Sequence, residues 1–576
     1  MARRPCHDFP EIRPARNHVR RAFHSSIRRH FHFLPMHPIS LHRLALGSAL
    51  LLSAALPSIH ADVKLPAIFG DHMVLQQGSK IPVWGWASPG EQVSVTLRQQ
   101  TSRTTAAPDG KWRVDLPPVT PSGQGETLVV KGTNTLTLQD VLVGDVWIAS
   151  GQSNMEYGIQ TDSRGADAIA KANDPQLRLF FVPWKTALEP QEDLASASAT
   201  SLNGKWQVCT PEVMKANWAW HGFSSVGYFF ARDLRHAAGH PVGMIATYKG
   251  GTPAEAWTSL TGLEKDPSLA NYVAERKKIA DNYEQATKDY PAKMEEYKTA
   301  VAAWKKDGSP ANKQPRSPSS PDGGFGTPAN NFNAMVAPLI PFSIKGVIWY
   351  QGESNGDNLQ ESQQYSVLFP RMITDWREKW GQGDFPFLFV ELANFKAAPK
   401  TPSEGNWAWV RDAQLKTLSL PNTGMASATD VGDATNIHPP SKVDVGQRLA
   451  LVARHVAYGE NIVYSGPLYR AMKVQGNKIL IAFTECGSGL TLGTPPWTAD
   501  GKTPPTPKAL TGFGIAGEDK KFVWADAVIK GNYIEVSSPE VPHPVAVRYG
   551  WADNPQINLY NKEGLPASPF RTDDWQ

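Results

Sequence analysis

Short apolar, β-branched runs recur at 73–75, 81–84, 92–97, 112–116, 127–131 and 136–138. Turn residues separate them, among them Pro89-Gly90 and Asp109-Gly110. Runs of that length and regular spacing predict a β-sandwich of immunoglobulin type over 62–140. The pattern then changes. Continuous apolar runs at 146–149, 242–247, 346–350, 387–391 and 425–429 alternate with helical periodicity at 225–235, 365–380, 407–418 and 441–457. Strands without a polar face, separated by amphipathic helices, predict an α/β domain over 141–460 whose parallel sheet is covered on both faces. After residue 460 the β pattern returns at 471–474, 479–483, 521–529, 533–537 and 544–549, so 461–576 is read as a second sandwich-like region. Periodicity does not decide whether it joins the amino-terminal strands in one body.

One segment interrupts the α/β pattern. Over 262–328, Tyr272, Ile279, Tyr283, Tyr290, Met294, Tyr297, Val301 and Trp304 recur at steps of three, four or seven. That spacing predicts one amphipathic helix kinked at Pro291, or a helical pair. The Pro/Ser/Gly-rich stretch 309–328 then reads as a connection. The insertion is either packed on the surface or a rim over a site.

Composition changes the picture mainly at the amino terminus. The 576 residues carry a formal net charge of +4, but residues 1–61 hold nine Arg against Asp8 and Glu11. The remaining chain has 49 basic and 52 acidic residues, which gives no electrostatic case for a nucleic-acid partner. Within the leader, a basic start from Met36, an apolar stretch over 44–56 and the small residue Ala61 read as a secretory signal at 36–61. Its apolar core is too short for a membrane span, and no later run is long enough. An exported protein, periplasmic or secreted, is therefore expected. Cys209 and Cys486 form either a disulfide or two buried thiols. Neither spacing nor residue type points to a metal site or to a cofactor.

The candidate chemistry gathers just after the predicted strands, where ligands of open α/β sheets bind. Gly151-Gln152-Ser153-Asn154 follows the first strand as a sharp turn, exposing a serine beside a helix amino terminus. A lone serine there is ordinarily an N-cap. His438, in Asn436-Ile437-His438-Pro439, is the best base among the seven histidines after residue 61. Asp430 and Asp433 both lie on the approach to it, and spacing does not choose which would fix its tautomer. Three groups are expected to receive an oxyanion: the Ser153 N–H, an amide at Gly250 or Gly251, and the Asn355 side chain.

Taken together, these segments resemble the SGNH (GDSL-like) hydrolases, specifically the sialate O-acetylesterase type. The resemblance rests on Gly151 to Glu156, on Gly250-Gly251-Thr252 with Glu255 and Trp257, and on Trp349 to Asn355. Ile437-His438-Pro439 with Lys442 also match, and the match runs in order over roughly 140–455. It implies a three-layer α/β/α domain, Ser153 as nucleophile and His438 as base. Gln152, Glu353 and Trp257 would contact substrate. Many SGNH enzymes place the acid three residues before the histidine, where this chain has Thr435. The third member therefore stays open among Asp430, Asp433, the remoter Glu353, or none. The expected activity is removal of O-acetyl groups from plant polysaccharide such as xyloglucan or xylan. The alternatives are O-acetylated sialic acid as substrate, and sugar binding without turnover.

Overall fold

The strand that ends in the serine turn is much longer than its apolar run. Thr135–Gly151 (β1) is a single 17-residue strand whose first half is alternately exposed and whose last eleven residues are buried. The protein is described by a computed structural model that covers residues 62–575, apart from 199, 217, 499–501, 503 and 506. The signal read at 36–61 lies outside the described residues.

Two sheets meet on that one strand. Its first half pairs with Ser122–Lys131, that strand with Gln92–Leu97, and Gln92–Leu97 in turn with Gln100–Thr105, all antiparallel. Ile81–Trp86 and Lys111–Leu116 form a separate antiparallel pair. The second half is the centre of a parallel sheet with Asp174–Phe181 (β2), Val242–Tyr248 (β3), Gly346–Tyr350 (β4), Phe387–Glu391 (β5) and Thr423–Ser427 (β6). Their spatial order is β6-β5-β4-β1-β3-β2, and Gln207–Cys209 adds an antiparallel edge to β2. No linker separates the regions at residue 140, and a single apolar core runs from Val63 through the amino-terminal strands to Val452.

The hydrophobic pattern missed several strands, two of them beside the long strand's sheets. Gln100–Thr105 has no apolar residue at all and is held by pairing alone. β2 is apolar only at Leu177 and from Leu179 to Phe181, a run broken by Arg178 and too short to stand out.

The sheet register fixes which helices cover which face. Trp349 sits opposite Ser150 in the ladder, so it shares the Ser150 face, whereas Trp147 points to the other. Ser225–Ala238 (α1) packs Phe230 on Trp147 with ring centroids 5.1 Å apart. The insertion contains Ala270–Lys306 (α2), one continuous 37-residue helix with Pro291 inside its span. Of its eight predicted apolar positions only Tyr272 is buried, and Tyr283 is 42% exposed. The other six positions are half-buried, so the expected apolar face is only partly covered. Leu359–Trp380 (α3) places Phe369 and Trp376 on Trp349, on the Ser150 face. Asn406–Thr417 (α4) packs beside α3. Lys442–Val456 (α5) packs against α1, where a Cβ at Gly446 would meet that of Phe229 at 2.7 Å.

The carboxyl-terminal region has its own core. Two four-stranded antiparallel sheets bury Ile479, Ile481, Phe483, Phe513, Ile515, Ile534, Val547 and Tyr549 between them. Cys209 is a free, buried thiol, so the Cys209–Cys486 pairing does not form. Among the described residues no helix is long and apolar enough to cross a membrane.

Arg411 on α4 fastens this region to the sheet. It is fully buried, and its guanidinium donates to the carbonyls of Leu392 and Ala393 beyond β5, and to those of Ala552 and Asp553. Arg411→Met keeps most of the volume but leaves the Leu392, Ala393 and Ala552 carbonyls without a donor, while that of Asp553 keeps the Phe395 N–H at 3.3 Å. Each buried orphan costs about 1–3 kcal/mol, so a loss of about 3 kcal/mol or more is expected by urea denaturation. A change within about 0.5 kcal/mol would show that water replaces the guanidinium.

Candidate active site

Gly151 makes the turn possible. Its φ is +135°, and a Cβ there would lie 2.2 Å from the Tyr350 carbonyl oxygen of the neighbouring strand. The chain therefore leaves β1 against β4, and the Gln152 N–H donates to that same carbonyl at 3.0 Å. Ser153 opens the short helix Ser153–Glu156, with no side-chain cap hydrogen bond at the preceding Gln152. Its hydroxyl faces His438 instead, with Nε2 to Oγ at 2.8 Å. The two residues are 285 positions apart in sequence. With the N-cap alternative removed, a hydroxyl and an imidazole stand at proton-transfer distance.

No carboxylate stands behind the imidazole. Among the described residues none pairs with His438 Nδ1, and neither predicted aspartate reaches it. Asp430 holds Arg448 through both oxygens, at 2.6 and 2.8 Å, and accepts from the Tyr560 hydroxyl at 3.0 Å. It braces α5 and the carboxyl-terminal region. Asp433 Oδ1 accepts from Thr435 N, Thr435 Oγ1 and Asn436 N, closing its own turn. Both assignments as triad acid are corrected on this geometry. Three other contacts position the histidine. Asn436 Oδ1 accepts the His438 backbone N–H at 2.9 Å, Asn154 Nδ2 donates to the Ile437 carbonyl at 3.0 Å, and Trp220 meets the imidazole edge-on at 4.8 Å.

Asn154 belongs to a buried polar chain that the serine turn and the histidine loop share. Its Oδ1 accepts from Lys442 Nζ at 2.5 Å, and its Nδ2 also donates to Glu353 Oε1 at 2.5 Å. Lys442 is fully buried and lies over the rings of Tyr157 and Tyr350, 4.9 and 5.6 Å from their centroids. Burial pushes its pKa down to about 7, against the opposing pull of Glu353 and Asp162. Burial likewise raises Glu353, partly countered by the Asn154 hydrogen bond. His438 is pushed down to about 4, first by burial and then by the Lys442 charge. It is therefore a neutral imidazole at pH 7.

The expected oxyanion donors surround Ser153 without all being directed at it. A Cβ at Gly250 would lie 3.3 Å from that of Ser153, so only glycine brings backbone so close. The Gly250 N–H donates to Glu156 Oε2 at 2.6 Å, and burial raises the Glu156 pKa against the lowering effects of Lys249 and this bond. Asn355 is fully buried; its Nδ2 donates to Glu255, and its Oδ1 accepts from Ala254 N and Gln351 Nε2. That leaves one Asn355 amide proton without a protein acceptor. Gly251 has a φ of +72° and shapes the turn.

The three residues expected to contact substrate are buried and bonded to neighbouring loops. Gln152 Oε1 accepts from the Gly352 and Ser354 amides, tying the two loops together. Glu353 holds Asn154, and the fully buried Trp257 donates its indole N–H to Thr252 Oγ1 at 2.9 Å. Glu156, Trp220 and Lys249 were missed. Lys249 Nζ lies 3.5 Å over the Trp184 ring, whose own N–H donates to the Tyr248 carbonyl. No periodicity marks these residues, because contacts across loops bring them to the site. Among the described residues no group of three or more His, Cys, Asp or Glu could hold a metal ion.

The chain matches a family model described as carbohydrate esterase, sialic acid-specific acetylesterase, over residues 143–303 and 327–455. The sialate O-acetylesterase of Rattus norvegicus is 30% identical over 469 residues, covering 76% of this chain and 82% of the relative. That of Homo sapiens is 30% identical over 454 residues, covering 73% and 76%. Among solved structures, a carbohydrate acetylesterase from Xanthomonas citri superposes with a TM-score of 0.71 at 38% identity. The alignment covers 89% of this chain and all of that one.

An imidazole depressed by burial and a neighbouring ammonium titrates lower than a free histidine. Its protonation, followed by 15N NMR of the ring, is expected near pH 4. Lys442→Met removes the charge but not the burial, so the His438 midpoint should move up toward 6.5. An unchanged midpoint would show that burial alone sets it.

Proposed function

We propose that this chain, which belongs to the sialic acid-specific acetylesterase family of carbohydrate esterases and is a carboxylic ester hydrolase, removes O-acetyl groups from sugars through an acetyl-Ser153 intermediate. The 2.8 Å contact between Ser153 Oγ and His438 Nε2 carries the reading. Ser153 Oγ attacks the acetyl carbonyl as its proton passes to Nε2, forming a tetrahedral oxyanion. The Ser153 N–H and the remaining Asn355 amide proton stabilise that charge, joined by the Gly250 N–H once Glu156 gives it up. The intermediate collapses as His438 returns the proton to the departing sugar oxygen. Water then attacks the acetyl-serine, with His438 again the base, and acetate leaves. The pair works without a carboxylate, the histidine being positioned by Asn436, Trp220 and the Asn154 bond to Ile437.

An SGNH-type, three-layer reading of the α/β domain accords with the strand order and with helices on both faces of the sheet. Export to the periplasm or the medium belongs to the same proposal and rests on the basic and apolar pattern at 36–61. Two sugar classes are in play. O-acetylated sialic acid is favoured by the family description and by the names of the mammalian relatives. The greater identity to the Xanthomonas citri carbohydrate acetylesterase extends the reading to other acetylated carbohydrates, among which plant polysaccharide, xyloglucan or xylan, is the second class.

Ser153→Ala is expected to lower turnover of p-nitrophenyl acetate at least 10³-fold, with the thermal midpoint unchanged. Turnover near that of the unaltered enzyme would remove the serine mechanism. Acetate release compared across O-acetyl sialic acid, xylan and xyloglucan then separates the two substrates.

A further inference from the structure

The pair of strands Ile81–Trp86 and Lys111–Leu116 faces a groove that the catalytic geometry does not use. Trp84 sits opposite Arg113 and Trp86 opposite Lys111, so these four side chains share one face of the pair. Gly85 between them has no side chain. Pro190, Gln191, Glu192, Ile340 and Pro341 also line it, and the cavity is about 590 Å³. Two indoles two residues apart on one strand face stand about 6.6–6.8 Å apart along it.

We propose that this groove is a second carbohydrate-binding site, and that it takes an extended chain of uncharged sugars. The inference rests on the carbohydrate-esterase reading. A pyranose ring has apolar C–H faces and a rim of hydroxyls. Indole faces bury the former, while Gln191, Lys111, Arg113 and Glu192 offer donors and acceptors to the latter. The charges in the groove already compensate one another: Lys111 Nζ pairs with Glu192 at 2.5 Å, and Arg113 Nε with Asp115 at 2.8 Å. No excess charge remains to select an acidic sugar. The site also connects to the catalytic rim. The loop that supplies Pro190 begins beside Trp184, whose ring underlies Lys249 next to Gly250. Six residues span at most about 22 Å, so one polysaccharide chain can occupy the groove while another part of it reaches Ser153. The groove therefore favours a polymeric neutral substrate over a lone sialic acid.

The test uses the full chain. Calorimetric titration with cellohexaose and with a xyloglucan heptasaccharide, both free of acetyl groups, reads the groove directly, and 3′-sialyllactose is the charged comparison. Binding of at least one neutral oligosaccharide is expected, weakened at least 10-fold in Trp86→Ala and largely restored in Trp86→Tyr. Turnover of p-nitrophenyl acetate should not change in either variant. Ser153→Ala should bind as the unaltered chain does, so failure of the esterase reading appears in turnover alone. Three results would overturn the site: no neutral oligosaccharide bound, equal binding with and without Trp86, or binding of sialyllactose only. Turnover and the melting transition report whether Trp86→Ala has folded; if it has not, Trp86→Gln, which keeps a long side chain without a ring, carries the test and should bind at least 10-fold more weakly.

Discussion

Lys442 is an amine with no access to water, its pKa brought down to about 7 by burial, and the serine turn and the histidine loop are both built on it. A buried charge is tolerated only where hydrogen bonds and opposite charge compensate it. Here one Asn154 oxygen and the nearby Glu353 and Asp162 do so. Asn154 follows the nucleophile, and Ile437, whose carbonyl it also holds, precedes the base. Fixing this one amide therefore fixes both reacting groups relative to each other. It couples loops from opposite ends of the domain through side chains that never meet substrate.

The same arrangement explains how an imidazole can serve without a carboxylate partner. In a serine–histidine–aspartate site the acid selects the tautomer and stabilises the imidazolium. Here backbone and ring contacts hold the orientation, and the charge nearest the ring is positive. That charge opposes imidazolium formation and keeps Nε2 unprotonated over a wide pH range. A low basicity makes each proton abstraction harder, but leaves a stronger acid for protonating the departing sugar oxygen. Acetyl transfer from a sugar hydroxyl needs that acid, because an alkoxide is a poor leaving group. The balance differs from that of a triad, and the burial of His438 beside Lys442 sets it.

Much of this was legible in the chain. Apolar runs located five strands of the parallel sheet, and glycine before a serine after the first of them pointed to the turn that holds Ser153. His438 stood out because few histidines follow a strand, and its ring does lie beside Ser153. What escaped was set by tertiary contact. Asp430 and Asp433 lie close to His438 in sequence, yet Arg448 and the local turn hold them, and no linear spacing reveals an arginine one helix away. Gln100–Thr105 has no hydrophobic signature because its neighbours, not its side chains, make it a strand. The apolar repeat of α2 reads as a buried face, although only Tyr272 of it is buried and the rest is half-buried or, at Tyr283, exposed.

β1 gives the amino-terminal sheets a mechanical relation to the chemistry. Strands in separate domains would let a flanking module drift, but one strand cannot bend freely through a shared core. Asp145 stiffens the crossing point. Burial would raise its carboxyl, yet hydrogen bonds from His240, Tyr458 and Gln76 hold its pKa at about 2. Those partners come from β3's approach, from beyond α5 and from the amino-terminal region, so one ionised carboxylate ties all three to the base of the serine strand. Because that carboxylate stays charged well below neutral pH, the tie persists wherever His438 is unprotonated. A groove borne on the Ile81–Trp86 pair thus keeps a fixed distance from Ser153, which a site for a continuous polymer requires and a site for a free monosaccharide does not.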